Sequence, residues 1–304
     1  MARVVITEFC DPDAVELLAA EHEVTYDLTL VDHPGRLLTV VADAAALVVR
    51  NRTRVDVDVL DAAPGLRVVG RLGVGLDNID VAACESRGVA VRTAAGANAV
   101  AVAEHVIGAL LSLARPALRA TGRILGGEWP RTELVGFELA GRRLGLVGLG
   151  ATARHVAARG LGLGMEVVAF DPFVTDAPEG VRLIDLDDVF RVAEAISVHV
   201  PLTPETTGLV DATRLGLLAA GALLVDTSRG GVVDHRAVVE ALAAGHLGGA
   251  ALDVFEDEPP ADVSPYKGVP NLILTPHVAG VTHESNVRVS RTVADAVLES
   301  LRSR

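Results

Sequence analysis

Residues 145–157 read GLVGLGATARHVA. An apolar run ends at a glycine, a second glycine follows two residues later, and a helical pattern then begins. That order is strand, tight turn, helix, and the spacing Gly148-x-Gly150-x-x-Ala153 is that of a dinucleotide-binding fingerprint. Gly148 permits the turn, Gly150 lets backbone N–H groups approach a pyrophosphate at the helix N-terminus, and a small third residue lets helix and strand pack closely. Ala153 meets the last demand although it is not glycine. Such a turn also occurs for packing alone, so the following strand discriminates. EVVAF (166–170) ends at Asp171, where a carboxylate would hydrogen-bond ribose hydroxyls and repel a 2′-phosphate, which favours NAD over NADP. The plain alternative is that Asp171-Pro172 is a turn signal at a strand end.

Working outward, short Val/Leu/Ile runs alternate with helical patterns on both sides of this turn, the signature of parallel sheets with crossover helices. Strands are expected at Arg3–Thr7, Glu23–Tyr26, Ala46–Arg50, Leu66–Gly70 and Val89–Arg92, with helices near Asp13–Ala20, Val55–Ala62 and Ile79–Arg87. A second series runs Arg143–Gly148, Glu166–Phe170, Ala195–His199, Ala222–Asp226, Gly249–Asp253 and Asn271–Thr275, and a helix follows at His283–Leu301. Between the series, apolar residues recur at helical spacing from Asn98 to about Leu125, predicting one long helix that bridges two domains. The expected fold class is α/β with two doubly wound parallel-sheet domains of Rossmann and flavodoxin-like type.

The whole-chain numbers agree with a globular protein. Of 304 residues, half are apolar, and the net charge of −13 argues against nucleic acid or an anionic membrane as partner. An anionic small molecule would need a local basic pocket. Lys267 is the only lysine among 27 basic residues, a bias we attribute to coding composition. Two cysteines, Cys10 and Cys84, make no disulfide framework and fit no metal-ligand spacing, so no metal is expected. The N-terminus lacks a signal-peptide pattern, and the longest apolar stretch is broken by Glu104 and His105. A cytoplasmic protein is expected.

Three further segments stand beyond the carboxyl ends of expected strands, where a doubly wound sheet places its chemistry: DTSRGGVVD around Arg229, ALDVFEDEPP around Glu258 and LTPHVAG around His277. Taken singly, Arg229 reads equally as a surface residue in a glycine turn, Glu258 as one acid of a solvated run with Glu256 and Asp257, and His277 as a satisfied histidine after a proline. Together with GLGATARHVA, AFDPF and HVPLTPETTGLV, and with RLGVGLDNIDV and GANAVAVAEHVIGALL earlier in the chain, these segments resemble the D-isomer-specific 2-hydroxyacid dehydrogenase family, in particular its phosphoglycerate dehydrogenase-like branch. The similarity runs from about Ala46 to Thr282, and no regulatory extension is expected after it.

The resemblance implies roles residue by residue. Arg229 matches the arginine that grips the substrate carboxylate and carbonyl, His277 the acid–base histidine, and Glu258 the carboxylate paired with it. This trio suffices for reversible carbonyl reduction: a histidine protonates the emerging alkoxide, a carboxylate fixes its tautomer, and a guanidinium fork holds a carboxylate by two bonds. Ala151 and Thr152 would meet the pyrophosphate, Val200 and Thr206 would line the cofactor cleft, Thr227 and Ser228 would lie near the nicotinamide, and Asp253 would hold its carboxamide. Loop packing is an equal alternative for Val200 and Thr206. His199 is read as cleft lining and His105 as a satisfied core or interdomain residue.

The family also implies a cofactor domain, 99–279, inserted into a substrate domain of 1–98 plus 280–304, with crossings at Asn98 and Gly280. Arg71–Gly75 resembles a carboxylate clamp in which the backbone of Gly73, Val74 and Gly75 faces the anion. Arg50, Arg52 and Arg131 match positions that bind a second anionic group, the last across a homodimer interface formed by the Asn98–Phe137 region. The expected activity is NAD-dependent interconversion of a small 2-hydroxy acid and its 2-oxo acid, with a phosphate, sulfonate, phosphonate or carboxylate as second anion. Glyoxylate or hydroxypyruvate reduction, a formate or phosphite dehydrogenase on the same scaffold, and an NAD(H)-sensing co-repressor-like protein are the alternatives. Many relatives carry arginine and isoleucine where this chain has Ala151 and Thr152, so somewhat weaker NAD binding is expected.

Overall fold

Strands Ala46–Val49 and Val68–Arg71, like Ala195–Val198 and Ala222–Asp226, are buried along their whole length. Strands covered on both faces belong to parallel sheets with helices above and below. The computed structural model describes residues 1–303 and divides into two units, Met1–Asn98 with the segment from Val281 onward, and Ala99–Gly280.

The first unit carries a parallel sheet of β1 (Arg3–Ile6), β2 (Glu23–Tyr26), β3 (Ala46–Val49), β4 (Val68–Arg71) and β5 (Ala90–Thr93), in the order β2-β1-β3-β4-β5. This is the flavodoxin-like order, with its switch point between β1 and β3. Helices α2 (Pro34–Val40), α3 (Val57–Ala62) and α4 (Val81–Ser86) cover one face through Leu37, Leu60 and Cys84. Helix α1 (Pro12–Ala19) and the terminal helix His283–Arg302 cover the other through Leu18, Val293 and Val297. A Cβ at Gly70 would fall 2.7 Å from Val293 Cγ1 and 2.8 Å from Val297 Cγ2, so the terminal helix rests directly on β4.

The sequence places two helix starts too early. Val55 and Ile79 pair with each other as an isolated parallel bridge, and the helices begin after Asp56 and Asp80, whose carboxylates accept from Val59 N at 3.2 Å and Ala83 N at 2.8 Å. Local capping decides the boundary where apolar periodicity cannot.

In the second unit the expected 98–125 helix is two helices, α5 (Ala99–Ala114) and α6 (Thr121–Leu125). Pro116 is the cause: it lacks an N–H and pushes Arg115 out of helical conformation, to φ −122° and ψ 75°. Helix α5 lies within this unit's core, where Val106, Leu110 and Leu113 pack with Leu144, Leu146 and Val156.

The second sheet contains β6 (Arg143–Val147), β7 (Glu166–Phe170), β8 (Val181–Leu183), β9 (Ala195–Val198), β10 (Ala222–Asp226), β11 (Leu247–Leu252) and β12 (Leu272–Leu274). Its order is β12-β11-β10-β9-β6-β7-β8, with the reversal of direction between β6 and β9. The crossovers carry α7 (Ala151–Gly162), α8 (Leu186–Val192), α9 (Ala212–Leu217) and α10 (His235–Ala243). Strand β8, only three residues long, and helix α2 are not anticipated.

Candidate active site

The crevice at a strand-order reversal is where doubly wound sheets bind ligands, and here it lies between the tips of β6 and β9. Gly148 follows β6 with φ +91°, and a Cβ on it would lie 2.9 Å from His199 O and 3.1 Å from Val200 Cγ1. Val200 therefore packs against the turn. Gly150 differs: its φ is −72° and a Cβ would meet nothing within 4 Å. No atom of the protein requires glycine there, and α7 begins at this point with no side-chain cap on its N–H groups. An open approach to uncapped amides at a positive helix end fits a pyrophosphate. Ala153 is fully buried against the sheet, Ala151 is exposed and Thr152 is half-buried beside it.

Asp171 at the tip of β7 is joined to this turn. Its Oδ2 accepts from Leu149 N at 2.8 Å and its Oδ1 from Phe173 N at 2.9 Å. The carboxylate is thus held at one place beside the glycines. Arg154 Nε donates to Leu149 O at 3.2 Å, which brings an arginine onto the turn from the first turn of α7. The sequence reading missed it by looking for the cation at position 151.

Beyond β10, β11 and β12 stand Arg229, Glu258 and His277. Glu258 Oε2 and His277 Nδ1 are 2.6 Å apart, and Glu258 Oε1 accepts from Phe255 N at 3.1 Å. Among Glu256, Asp257 and Glu258, it is Glu258 whose carboxylate meets the imidazole. Partial burial works to raise the Glu258 carboxyl, but the hydrogen bond and charge of His277, the Phe255 N–H and the Arg229 charge outweigh it and hold the group below its usual range. Arg229 is half-buried, with Nη1 donating to Ser228 O at 2.6 Å.

Two buried acids support these loops. Asp253 receives Thr275 Oγ1 at 2.5 Å and Val278 N at 2.9 Å on Oδ1, and Ala279 N at 2.8 Å on Oδ2, while its backbone oxygen receives His277 N at 2.8 Å. The expected carboxamide holder is therefore also the anchor of the loop that carries His277, whose φ of +53° is unusual for a side-chain-bearing residue. Asp226 accepts from Ser228 N at 2.9 Å and Ser228 Oγ at 2.6 Å through Oδ1, while its Oδ2 and the Thr227 hydroxyl are buried without a partner. Burial, with a smaller push from the Asp253 charge, raises Asp226 to about 6 against the Ser228 bonds and the Arg229 charge. Asp226 reads in the sequence as the last residue of a strand, and nothing there marks it as buried.

His199 is half-buried, its Nε2 lies 2.9 Å from Ser197 Oγ, and desolvation pushes its pKa down to about 4, so it is neutral at neutral pH. The Thr206 hydroxyl donates to Pro201 O at 2.6 Å and accepts from Thr203 N at 2.7 Å, which engages it in its own turn. Gly280 ends this unit, and Arg131 is exposed on the segment after α6.

Arg50, Arg52, Gly73, Val74, Gly75 and Asn98 lie in the first unit. Arg50 Nη2 donates to Asn286 Oδ1 at 3.0 Å, whereas Arg52 forms an exposed ion pair with Asp32. A Cβ on Gly73 would fall 1.4 Å from Arg71 Nη1, so glycine there makes room for a buried guanidinium that the sequence reading passed over at the end of an apolar strand. Val74 is exposed at the tip of that turn and Gly75 is half-buried.

A reversal crevice with a glycine turn and an acid at the next strand end, flanked by a histidine–carboxylate pair, defines a nicotinamide-dependent oxidoreductase. Residues 107–279 match the family model described as D-isomer specific 2-hydroxyacid dehydrogenase, NAD binding domain, and the chain belongs to that family. It is 49% identical over 305 aligned residues to an (S)-sulfolactate dehydrogenase of Chromohalobacter salexigens, covering 99% of each chain. It is 38% identical to a D-3-phosphoglycerate dehydrogenase of Methanocaldococcus jannaschii, over 99% of this chain but only 58% of that one. Among solved structures, D-lactate dehydrogenase from Aquifex aeolicus complexed with NAD and lactic acid superimposes with a TM-score of 0.83 at 25% identity, covering 99% of this chain and 98% of that one. The protein is an NAD-dependent enzyme interconverting a 2-hydroxy acid and its 2-oxo acid.

Proposed function

We propose that the chain is a dehydrogenase for a dianionic 2-hydroxy acid, with sulfolactate foremost and 3-phosphoglycerate next. The reaction is carried by one observation, the 2.6 Å contact between His277 Nδ1 and Glu258 Oε2. With Nδ1–H donated to Glu258, the imidazole presents Nε2 to the substrate. In the reducing direction Nε2–H gives its proton to the carbonyl oxygen as C2 is reduced, and Glu258 stabilises the imidazolium before that transfer. Arg229 holds the substrate carboxylate through its planar fork. NADH, when bound, supplies the hydride to C2, and Gly148, Gly150, Ala151, Thr152 and Asp171 would hold its pyrophosphate and ribose.

The sulfonate reading draws on the (S)-sulfolactate dehydrogenase relative and on Arg50, whose guanidinium donates to Asn286 and is in no ion pair among the described residues. The first unit would act as substrate domain, with the Arg71–Gly75 turn facing the carboxylate. A homodimer is supported by the apolar side chains left exposed at Leu118, Leu125, Trp129 and Val135, of which Trp129 is 81% exposed. Two free buried cysteines accord with a cytoplasmic setting.

The test is NADH oxidation with sulfopyruvate, 3-phosphohydroxypyruvate, hydroxypyruvate, glyoxylate and pyruvate. A higher kcat/KM for the dianions is expected. A preference for the mono-anions overturns the substrate reading, and NADH binding without turnover of any of the five overturns the catalytic one.

A further inference from the structure

Four consecutive backbone N–H groups converge on one buried carboxylate in the first unit. Glu8, just after β1, accepts from Arg50 N and Thr53 N through Oε1, both at 2.9 Å, and from Arg52 N at 3.1 Å and Asn51 N at 3.3 Å through Oε2. The carbonyl side of the same loop is held by Asn78 Nδ2, which donates to Thr53 O at 2.6 Å and to Arg50 O at 3.4 Å. Thr7 and Thr53 join their hydroxyls beneath it at 2.8 Å. A loop beyond a strand end ordinarily leaves such groups to water. This one is fixed from both sides.

Successive N–H groups curved around one point form an anion-binding nest, and here the anion is part of the chain. The nest is therefore filled, and an anionic ligand reaching this loop meets side chains rather than backbone. Those side chains are not equivalent. Arg52 is paired with Asp32, while Arg50 leans on Asn286 and sits 5.9 Å from the Phe9 ring centroid, with no ion pair among the described residues. Glu8 spends its lone pairs on the loop's N–H groups and makes no ion pair with the Arg50 guanidinium, although its charge is felt there.

We propose that Glu8 is the positioning residue of a second-anion subsite, fixing the 50–53 loop so that Arg50 meets the sulfonate or phosphate of the substrate. This rests on the dianion reading above. Glu8 touches no substrate in this scheme and acts through Arg50.

The experiment compares wild type and Glu8→Gln by steady-state kinetics with sulfopyruvate and pyruvate, alongside thermal melts. Gln offers one oxygen where the loop needs two, so the ratio of kcat/KM for sulfopyruvate over pyruvate is expected to fall on the order of tenfold, through KM for sulfopyruvate. Should Glu8→Gln not fold, Asn286→Leu, which removes the acceptor that aims Arg50, is read in the same way. An equal loss for both substrates, the signature of a merely structural role, overturns the proposal, as does an unchanged ratio. A wild type with no preference for sulfopyruvate over pyruvate instead overturns the dianion reading, and the subsite with it.

Discussion

Asp253 and His277 are joined through the main chain, His277 N donating to Asp253 O at 2.8 Å, while the Asp253 carboxylate gathers the two N–H groups that follow. The imidazole is aimed by an acid that does not touch it. Replacing Asp253 by Ala leaves the buried Ala279 N–H unpaired, a cost of roughly 1–3 kcal/mol, and frees the more exposed Val278 N–H to water. Urea melts are expected to show this loss, and kcat is expected to fall by more than tenfold because His277, the proposed proton donor, would be misplaced. A variant as active as the wild type would remove Asp253 from this role.

The proton-transfer assignment is checked at His277. His277→Gln keeps a polar side chain but cannot carry the proton, so turnover should drop by roughly 10²–10⁴-fold. NADH affinity by calorimetry should stay as it is, because the glycine turn lies on other strands. Retained turnover would assign the acid elsewhere.

Asp226 gives a pH signature. Its folded pKa, raised to about 6 mainly by burial, lies above the ordinary carboxyl value of 3.8, so the folded protein binds the extra proton. Its contribution is thus most favourable at low pH and is lost as pH rises from about 4 to about 6. Asp226→Asn keeps an acceptor for Ser228 and removes the titration. It should gain on the order of 2–3 kcal/mol relative to wild type at pH 7, with little difference at pH 4. Equal wild-type and variant stability at both pH values would contradict the assignment.

If the 148–153 turn holds the pyrophosphate as proposed, Ala151 would set no cation beside it, and Arg154, tied to Leu149 O, stands nearest in sequence to replace it. Ala151→Arg is expected to tighten NADH binding several-fold and Arg154→Gln to weaken it by a similar factor, the scale of one charge at a helix N-terminus. Calorimetry showing neither change would leave the helix amides as the sole source of affinity.

Gly70→Ala tests packing alone. The added methyl meets Val293 and Val297 below 3 Å, so about 1–3 kcal/mol of stability should be lost. Unaltered melting would mean that the terminal helix can shift away from β4.

Much of this was readable because it is periodic or local. Fully apolar strands, the Gly148–Ala153 turn and the acid at Asp171 identify themselves by spacing, and their geometry follows. The interruption of the long helix at Pro116 was equally local and was overlooked in favour of periodicity. What sequence could not show depends on contacts remote along the chain. Glu8 meets a loop more than forty residues away, Asp253 anchors a loop beyond the next strand, and Asp226 owes its burial to neighbours in the sheet. Arg50 and Arg52 look alike in VVRNRT, and only their distant partners, Asn286 and Phe9 for one and Asp32 for the other, separate them.

The helix that rests on Gly70 has a consequence for synthesis. Val293 and Val297 leave the ribosome after every residue of the second unit, so β4 lacks its covering helix for on the order of ten seconds of translation. The second unit, continuous in sequence, can fold in that interval, whereas the first, though made earlier, must wait with one apolar face covered by α1 alone. The part of the chain born first is thus the part completed last.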